Sequence, residues 1–118
     1  RSIRSFQDKG INIYAVTVQN EVDTDQDSLM PACLWPQEYE VDFVGYHLGP
    51  LFEKLGLKTQ IWIIDHNYNL WGRALASLES TALAKYASAI AWHGYVGDVW
   101  RIGTVQELPP VALLEPAA

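Results

Sequence analysis

The fold of this chain is decided by residues 11–21, which read INIYAVTVQNE. The run from Ile11 to Val18 is apolar at nearly every position, a pattern that predicts a strand covered on both faces. It stops abruptly at two amides and a carboxylate, Gln19, Asn20 and Glu21. In α/β folds, chemistry collects at the carboxyl ends of the strands. The stretch therefore predicts a strand of an α/β sheet with a candidate acid/base, Glu21, at its end.

The composition of the chain argues against several classes of protein. The chain has 118 residues, 49% of them hydrophobic, which predicts one packed domain and argues against disorder. The net charge is -6 with no cluster of basic residues, so we expect neither nucleic acid nor an anionic membrane as a partner. A neutral substrate fits this charge better than a polyanion. No apolar run reaches the length of about 20 residues that spans a bilayer.

The rest of the chain alternates between strand and helix patterns. We expect the end of a helix at Ser5–Gly10, a loop at Gln19–Trp35, a helix from Pro36 to Gly56 interrupted at Gly49-Pro50, a strand at Thr59–Ile64, a loop holding Tyr68, Trp71 and Gly72, a helix at Leu78–Tyr86, a strand at Ala87–Trp92, a short helix within Val96–Leu108 and a strand at Val111–Leu114. This order, βαβαβ(α)β, predicts four parallel strands joined by right-handed crossovers.

Every predicted strand ends in polar residues. In chain order they are Asn20 and Glu21; Asp65, His66 and Asn67; His93 and Tyr95; and Glu115. In a (β/α) barrel, all of these would face one mouth.

Several of these segments together resemble glycoside hydrolase family 30. The run Ile13–Glu21 is similar to the strand-four motif of that family, which includes glucosylceramidase-like enzymes, β-1,6-glucanases and xylanases. Further motifs follow in the family's order and at about its spacing: Trp35, Asp42-Phe43, Leu48-Gly49-Pro50, Asp65-His66-Asn67 and Ile90–Tyr95. The resemblance covers roughly Gly10 to Val105.

The resemblance implies a fold and a reaction. The fold would be a (β/α)8 barrel, of which this chain supplies strands four to seven. The reaction would be retaining hydrolysis of a β-glycosidic bond, with a carbohydrate as substrate and no cofactor. The family is often secreted, which favours an extracellular location.

The same resemblance implies roles for single residues. Glu21 would be the general acid/base, and Asn20 would hydrogen-bond the sugar 2-hydroxyl. Tyr95 would support the nucleophile or the sugar. The remaining candidates for lining the sugar pocket are Asp65, His66, Asn67 and His93, with Trp35 and Trp71 placed in loops at the mouth where they could stack on sugar rings.

A retaining glycosidase also needs a carboxylate nucleophile, and the sequence defines this residue less well than the acid/base. Glu115 lies at a strand end, as the family's nucleophile does, but its context, Leu113-Leu114-Glu115-Pro116, differs from the family's. The nucleophile is therefore either Glu115 or a glutamate outside this chain. Carboxyl groups about 5 Å apart would suit retention, and a separation of about 6.5–9.5 Å would suit inversion. Val22 also replaces the proline that usually follows the acid/base.

The length of the chain leaves alternatives open. A barrel of this type takes about 250 residues, so we expect residues 1–118 to form a single, incomplete catalytic-domain fragment. The rest of the barrel, or a second copy of the chain, would close the sheet. The alternative to an enzyme is a non-catalytic partial barrel with a structural or sugar-binding role.

Other polar clusters have simpler interpretations. His66 and His93 could bind a metal with Asp65 and Asp98, but no metal-binding spacing such as HExxH is present. Alternating aspartates in the first loop, Asp23, Asp25 and Asp27, lack the glycine and the distal glutamate of a calcium loop. We expect no metal, a solvated loop, and histidines hydrogen-bonded in a pocket or core.

Overall fold

In the part of the chain that the structure describes, four strands form one parallel sheet, and helices connect the first three of them. The structure, a computed structural model, describes residues 1–23 and 33–95 and the backbone of residues 111–113. The elements, in chain order, are α1 (Ser2–Gln7), β1 (Ala15–Thr17), α2 (Gln37–Asp42), a π-helical segment (Phe43–Leu48), α3 (Gly49–Leu55), β2 (Gln60–Asn67), a 3₁₀ turn (Tyr68–Leu70), α4 (Trp71–Leu78), α5 (Thr81–Tyr86), β3 (Ala87–His93) and β4 (Val111–Leu113).

Each strand pairs in parallel with the next strand along the chain, in the order β1-β2-β3-β4. The register runs from Ala15 beside Gln60 on β1 and β2 to Trp92 beside Leu113 on β3 and β4. Successive βα units side by side are what one arc of a (β/α) barrel contains. The predicted parallel sheet of about four units is confirmed.

The first strand is shorter than predicted. β1 covers only Ala15–Thr17, and the expectation of a strand from Ile11 buried on both faces is wrong. Ile11 and Tyr14 are exposed, at 49% and 65%. Among the described residues β1 has one neighbour, β2, so an apolar composition alone did not ensure that the strand was covered.

The long helix after Pro36 has the predicted ends and an unforeseen middle. Pro36 is its N-cap, and Gly56 ends it in the left-handed conformation with φ of 62°. The expected irregularity at Gly49-Pro50 is a π-helical turn rather than a sharp kink. The Gly49 N–H bonds the Val44 carbonyl five residues back, and Pro50, which has no N–H, is the second residue of α3.

Three further boundaries differ from the predictions. The first helix ends at Gln7, and Gly10 closes the following turn with φ of 78°. The segment expected as a loop with one later helix contains two helices, α4 and α5, so Trp71 and Gly72 are helical. Strand β2 continues beyond Ile64 to Asn67. The predicted helix within 96–108 lies outside the described residues.

The core lies between β2 and β3 and the helices packed on them. Its most buried large side chains are Ile63, Ile64, Leu83, Ile90 and Trp92. At Gly49 an added Cβ would overlap the ring of Tyr86, so this position allows α5 to approach the long helix closely. In the part of the chain that the structure describes, no helix has the length and apolar character needed to cross a membrane.

Candidate active site

Three predicted site residues meet where the strands end. The His93 imidazole lies between two carboxylates: its Nε2 is 2.9 Å from Asp65 Oδ1, and its Nδ1 is 3.4 Å from Glu21 Oε1. The side chains of His93 and Asp65 are 3% and 8% exposed, and that of Glu21 is 17% exposed. The prediction that the ends of β1, β2 and β3 converge therefore describes these three residues correctly.

The backbone at this point is unusual. Glu21, Ile64 and Asp65 have φ of 52°, 75° and 51°, and they are the non-glycine residues with positive φ in the described part of the chain. The pairing of β2 with β3 shifts register between Ile64 and His66. A left-handed β-branched residue such as Ile64 is costly and persists only where surrounding contacts impose it. Such strain is typical of functional sites.

Asp65 is fixed by contacts from β1 and the residues after it. Its carbonyl accepts a hydrogen bond of 2.8 Å from the Glu21 N–H. Its Oδ2 accepts one of 2.5 Å from the Thr17 hydroxyl. Because Asp65 also contacts His93, one aspartate joins the ends of all three strands.

The arrangement constrains the imidazole of His93. With Nε2–H donating to Asp65, the Nδ1 atom on the Glu21 side is left as an acceptor. A protonated Glu21 could then share its proton with Nδ1. In the doubly protonated ring, both nitrogens would donate, one to each carboxylate.

His66 and Asn67 occupy the last two positions of β2. His66 is buried, and its Nδ1 accepts a hydrogen bond of 2.8 Å from the Asn67 N–H. Burial lowers the pKa of His66; the charge of Glu21 opposes this, and that of His93 adds to it. The ring centres of His66 and His93 are 6.3 Å apart. His66 therefore belongs to the same cluster and favours its neutral form.

Two more predicted residues lie at the exposed edge of the cluster. Tyr95 is 60% exposed, with its ring edge-on to His93 at 6.2 Å between centres. Asn20 is exposed in the turn that precedes Glu21, where its carbonyl accepts a hydrogen bond from the Gln19 side chain. Both are accessible to a ligand that approaches Glu21.

The two tryptophans predicted at the mouth differ in position. Trp35 is half-buried. Its backbone N–H bonds the Val22 carbonyl at 2.9 Å, which keeps Trp35 beside the segment that carries Glu21. The prediction that Trp71 lies in a loop is wrong. It is the first residue of α4, and it is half-buried against the hydrophobic core.

Other candidates fall outside the described residues: Glu115, Asp25, Asp27 and Asp98. Within residues 1–23 and 33–95 no group of three or more histidine, cysteine or acidic side chains has the geometry of a metal site.

Sequence reasoning missed three residues that support the cluster. Thr17 bonds Asp65, and Glu40 and Arg73 form a buried ion pair behind Ile64. Glu40 lies in the first turn of α2, where a glutamate is ordinarily solvated, but it is 1% exposed. The available signal was its spacing, because Glu40 falls four residues before Val44, on the face that the apolar stripe of the helix buries.

Three curated relatives are similar to most of this chain. An endo-1,6-β-D-glucanase of Neurospora crassa is 32% identical over 106 residues, which are 86% of this chain and 21% of that protein. Endo-1,6-β-D-glucanases of Aspergillus fumigatus and Trichoderma harzianum are 27% and 29% identical and are covered to 20% each. The chain thus spans about a fifth of the length of these relatives.

Solved structures show the same fold. The endo-β1,6-glucanase BT3312 superposes with a TM-score of 0.86 at 31% identity, over 97% of this chain and 27% of that one. SrfJ from Salmonella typhimurium superposes with a TM-score of 0.81 at 25% identity, over 93% of this chain and 26% of that one. The glycosyl hydrolase family 30 TIM-barrel domain matches residues 1–108. The chain belongs to glycosyl hydrolase family 30, and its sheet is part of that family's barrel.

Proposed function

We propose that this chain carries the acid/base half of the active site of a retaining β-glycosidase. The observation that carries the proposal is the contact of Glu21 with His93, which Asp65 holds from the other side. Family membership supports the reaction class. The similarity to three endo-1,6-β-D-glucanases supports a β-1,6-linked glucan as the substrate.

The geometry suits a glutamate that must first give and then accept a proton. With Nε2–H donating to Asp65, the His93 Nδ1 atom offers an acceptor 3.4 Å from Glu21 Oε1, so that a proton can pass between the two groups. Asp65 fixes the ring through Nε2, so the position of Nδ1 is defined.

The proposed reaction is a double displacement. Glu21 gives its proton to the glycosidic oxygen while a second carboxylate attacks the anomeric carbon and forms a glycosyl-enzyme. Glu21 then takes a proton from water, which releases the sugar and regenerates both carboxyl groups. We propose Glu115, or a glutamate outside this chain, as the nucleophile.

Substrate contacts would come from the exposed edge of the cluster. Asn20 would bond the sugar 2-hydroxyl, and Tyr95 would contact the sugar or the nucleophile. His66 and Asn67 would line the floor with Asp65 and His93. Trp35 is the better placed of the two tryptophans for a sugar ring, because Trp71 begins a helix and packs on the core.

The test measures hydrolysis of two substrates, a β-1,6-linked glucan and a dinitrophenyl β-glucoside. It compares the wild type with Glu21→Gln and with a control, Glu79→Gln. Glu79 is exposed and caps the C-terminal end of α4. Loss of a general acid/base should lower the rate on the glucan by ~10²–10⁴-fold. Because a dinitrophenolate leaves without a proton, glycosylation by Glu21→Gln should be much less impaired on a dinitrophenyl β-glucoside. Glu79→Gln should match the wild type.

Two results would contradict the proposal. Equal rates for Glu21→Gln and the wild type would remove Glu21 from the mechanism. A folded but inert wild type would show that the chain does not catalyse alone, which favours the alternative of a non-catalytic partial barrel. The small share of each relative that the chain spans is the observation behind that alternative.

A further inference from the structure

Glu40 and Arg73 form a buried ion pair next to the cluster but not within it. Glu40 Oε2 lies 2.9 Å from an Arg73 terminal nitrogen, and the two side chains are 1% and 13% exposed. They come from α2 and α4, which follow different strands. Their hydrogen bonds go to Ile64, to Trp35 and to each other, and the proposed chemistry does not account for them.

The carboxylate of Glu40 holds the strained part of β2. Its Oε1 accepts a hydrogen bond of 2.9 Å from the Ile64 N–H. Ile64 and Asp65 both have positive φ, and the register of β2 shifts between Ile64 and His66, so the regular pairing with β3 is interrupted at Asp65. A bond from a charged acceptor is one contact strong enough to favour such a conformation.

The guanidinium of Arg73 holds the segment on the other side of Glu21. The same nitrogen that contacts Glu40 also donates to the Trp35 carbonyl at 2.5 Å. The Trp35 N–H in turn bonds the Val22 carbonyl, directly after Glu21. One ion pair is therefore connected to both neighbours of Glu21: to Asp65, whose carbonyl accepts the Glu21 N–H, and to Val22.

A contribution to stability alone does not explain why Glu40 and Arg73, rather than two apolar residues, are buried here. A buried ion pair often contributes no more than well-packed apolar side chains of the same volume. Arg73 Nε is also buried without a hydrogen-bond partner among the described residues. What the pair supplies, and an apolar pair could not, is directed hydrogen bonds to Ile64 and Trp35.

We infer that Glu40 and Arg73 are positioning residues that fix the backbone of Glu21 relative to Asp65 and His93. The effect of this pair on catalysis rests on the proposed function of Glu21. Its effect on the position of the Glu21 backbone rests on the hydrogen bonds alone. We therefore expect loss of the pair to loosen the Glu21 backbone without loosening the sheet as a whole.

The first test is amide hydrogen exchange in the 118-residue chain, comparing Glu40→Gln with the wild type. The readout is the Glu21 N–H, which bonds Asp65 and not Glu40. This amide should exchange ~10-fold faster or more. The variant leaves Arg73 buried without its carboxylate partner, which destabilises the closed, hydrogen-bonded state relative to local opening. The reference is the Gln60 N–H, which bonds the Tyr14 carbonyl at the other end of β2 and should keep its rate.

The matched control is Glu53→Gln. Glu53 also forms an ion pair between two helices, with Lys85 at 3.4 Å, but both side chains are exposed. It should leave both amides unchanged. Equal acceleration at Glu21 and Gln60 in Glu40→Gln would show general destabilisation, and no acceleration at Glu21 would show that the pair is unconnected to it. Either result would overturn the inference.

A second variant covers the case in which Glu40→Gln does not fold. Arg73→Lys keeps a cation beside Glu40 but cannot reproduce the planar donor that reaches both Glu40 and Trp35. It should speed exchange of the Trp35 and Glu21 amides while the Gln60 amide keeps its rate. Unchanged exchange at both Trp35 and Glu21 would overturn the inference.

Kinetics separate this inference from the proposed function. Where the wild type hydrolyses the glucan, Glu40→Gln should lower kcat by up to ~100-fold with little change in KM, as a displaced catalytic group does. A raised KM with unchanged kcat would contradict positioning. An inert wild type whose Glu21 amide still responds to Glu40→Gln would contradict the proposed function and leave the positioning role in place.

Discussion

The two ends of strand β2 differ in almost every physical property. At its amino end, Gln60 continues regular pairing with β1, and its side chain bonds two neutral aromatic partners, Tyr14 and Trp62. At its carboxyl end, Ile64 and Asp65 adopt left-handed backbone conformations. There the buried Asp65 side chain contacts β1 and β3, and the Ile64 N–H bonds Glu40 of α2, which is paired with Arg73 of α4.

The comparison shows that backbone strain in β2 is concentrated at its carboxyl end. Pairing with β3 and apolar burial satisfy the middle of β2, where Ile61 and Ile63 are buried. At the carboxyl end Asp65 is skipped in the pairing with β3 and the backbone is strained, and both Asp65 and Glu40 supply hydrogen bonds there. If this comparison is right, equivalent substitutions at the two ends should have unequal effects.

The largest difference is expected between Asp65→Ala and Gln60→Ala. Asp65→Ala removes the acceptor of Thr17, leaves the buried His93 without its nearest carboxylate, and puts alanine at φ of 51°. It should lower the free energy of unfolding by about 3 kcal/mol or more. Gln60→Ala removes hydrogen bonds between neutral groups near the surface and should cost less than about 1 kcal/mol. Urea unfolding of both variants measures the difference.

Asp65→Asn is the control for the first variant, since asparagine tolerates the left-handed conformation and keeps the volume. It should lie between the wild type and Asp65→Ala. Equal losses for Asp65→Ala and Gln60→Ala would show that the carboxyl end is not specially held.

A smaller difference is expected between two threonines. The Thr17 hydroxyl donates to the Asp65 carboxylate at 2.5 Å, and the Thr59 hydroxyl donates to the neutral Ile13 carbonyl at 2.9 Å. Threonine to valine removes each hydroxyl with little change in shape. Thr17→Val should cost about 2 kcal/mol and Thr59→Val about 1 kcal/mol, because hydrogen bonds to charged groups are stronger.

Thermal and urea unfolding of the two valine variants would measure this pair. The reverse order, with Thr59→Val the more damaging, would contradict the view that the charged acceptor at Asp65 is what holds the end of β1 to β2.

The smallest effect concerns the pH dependence of stability. Burial lowers the pKa of His66 below its ordinary value of 6.5, so the folded protein binds this proton less readily than the unfolded chain does. The resulting contribution to stability is complete above about pH 6.5 and is lost as the pH falls through the lower, folded pKa. His66→Gln should therefore lose less stability than the wild type between pH 7.5 and pH 5.5, as measured by urea unfolding. An identical loss would show that protonation elsewhere dominates.

Much of the fold could be predicted because it depends on local patterns. The order of strands and helices, the cap at Gly56 and the start at Pro36 follow from hydrophobic period and from glycine and proline chemistry. The length of β1 could not be predicted, since burial of Ile11 and Tyr14 depends on what covers them and not on their own character. The helix starting at Trp71 was missed because Tyr68 and Gly72 suggested a loop.

The cluster was predictable only in part. Polar residues at strand ends pointed to Glu21, Asp65 and His93, since parallel strands bring their carboxyl ends to one side. The left-handed backbone at Ile64 was not visible, because isoleucine is among the residues least suited to it. The ion pair behind it was also missed, because a charge on a helix is solvated by default and only its spacing from Val44 placed Glu40 inside.

The ion pair of Glu40 and Arg73 also sets where the polypeptide can be divided. Its hydrogen bonds join residues 33 and 38 positions apart in the sequence, across two successive βα units. A cut between Glu40 and Arg73 would leave a fragment with an uncompensated charge at a buried surface. The segment from β1 through α4 should thus behave as one cooperative folding unit. Fragment complementation should succeed with a break at Glu79-Ser80, between α4 and α5, and fail with a break before β2.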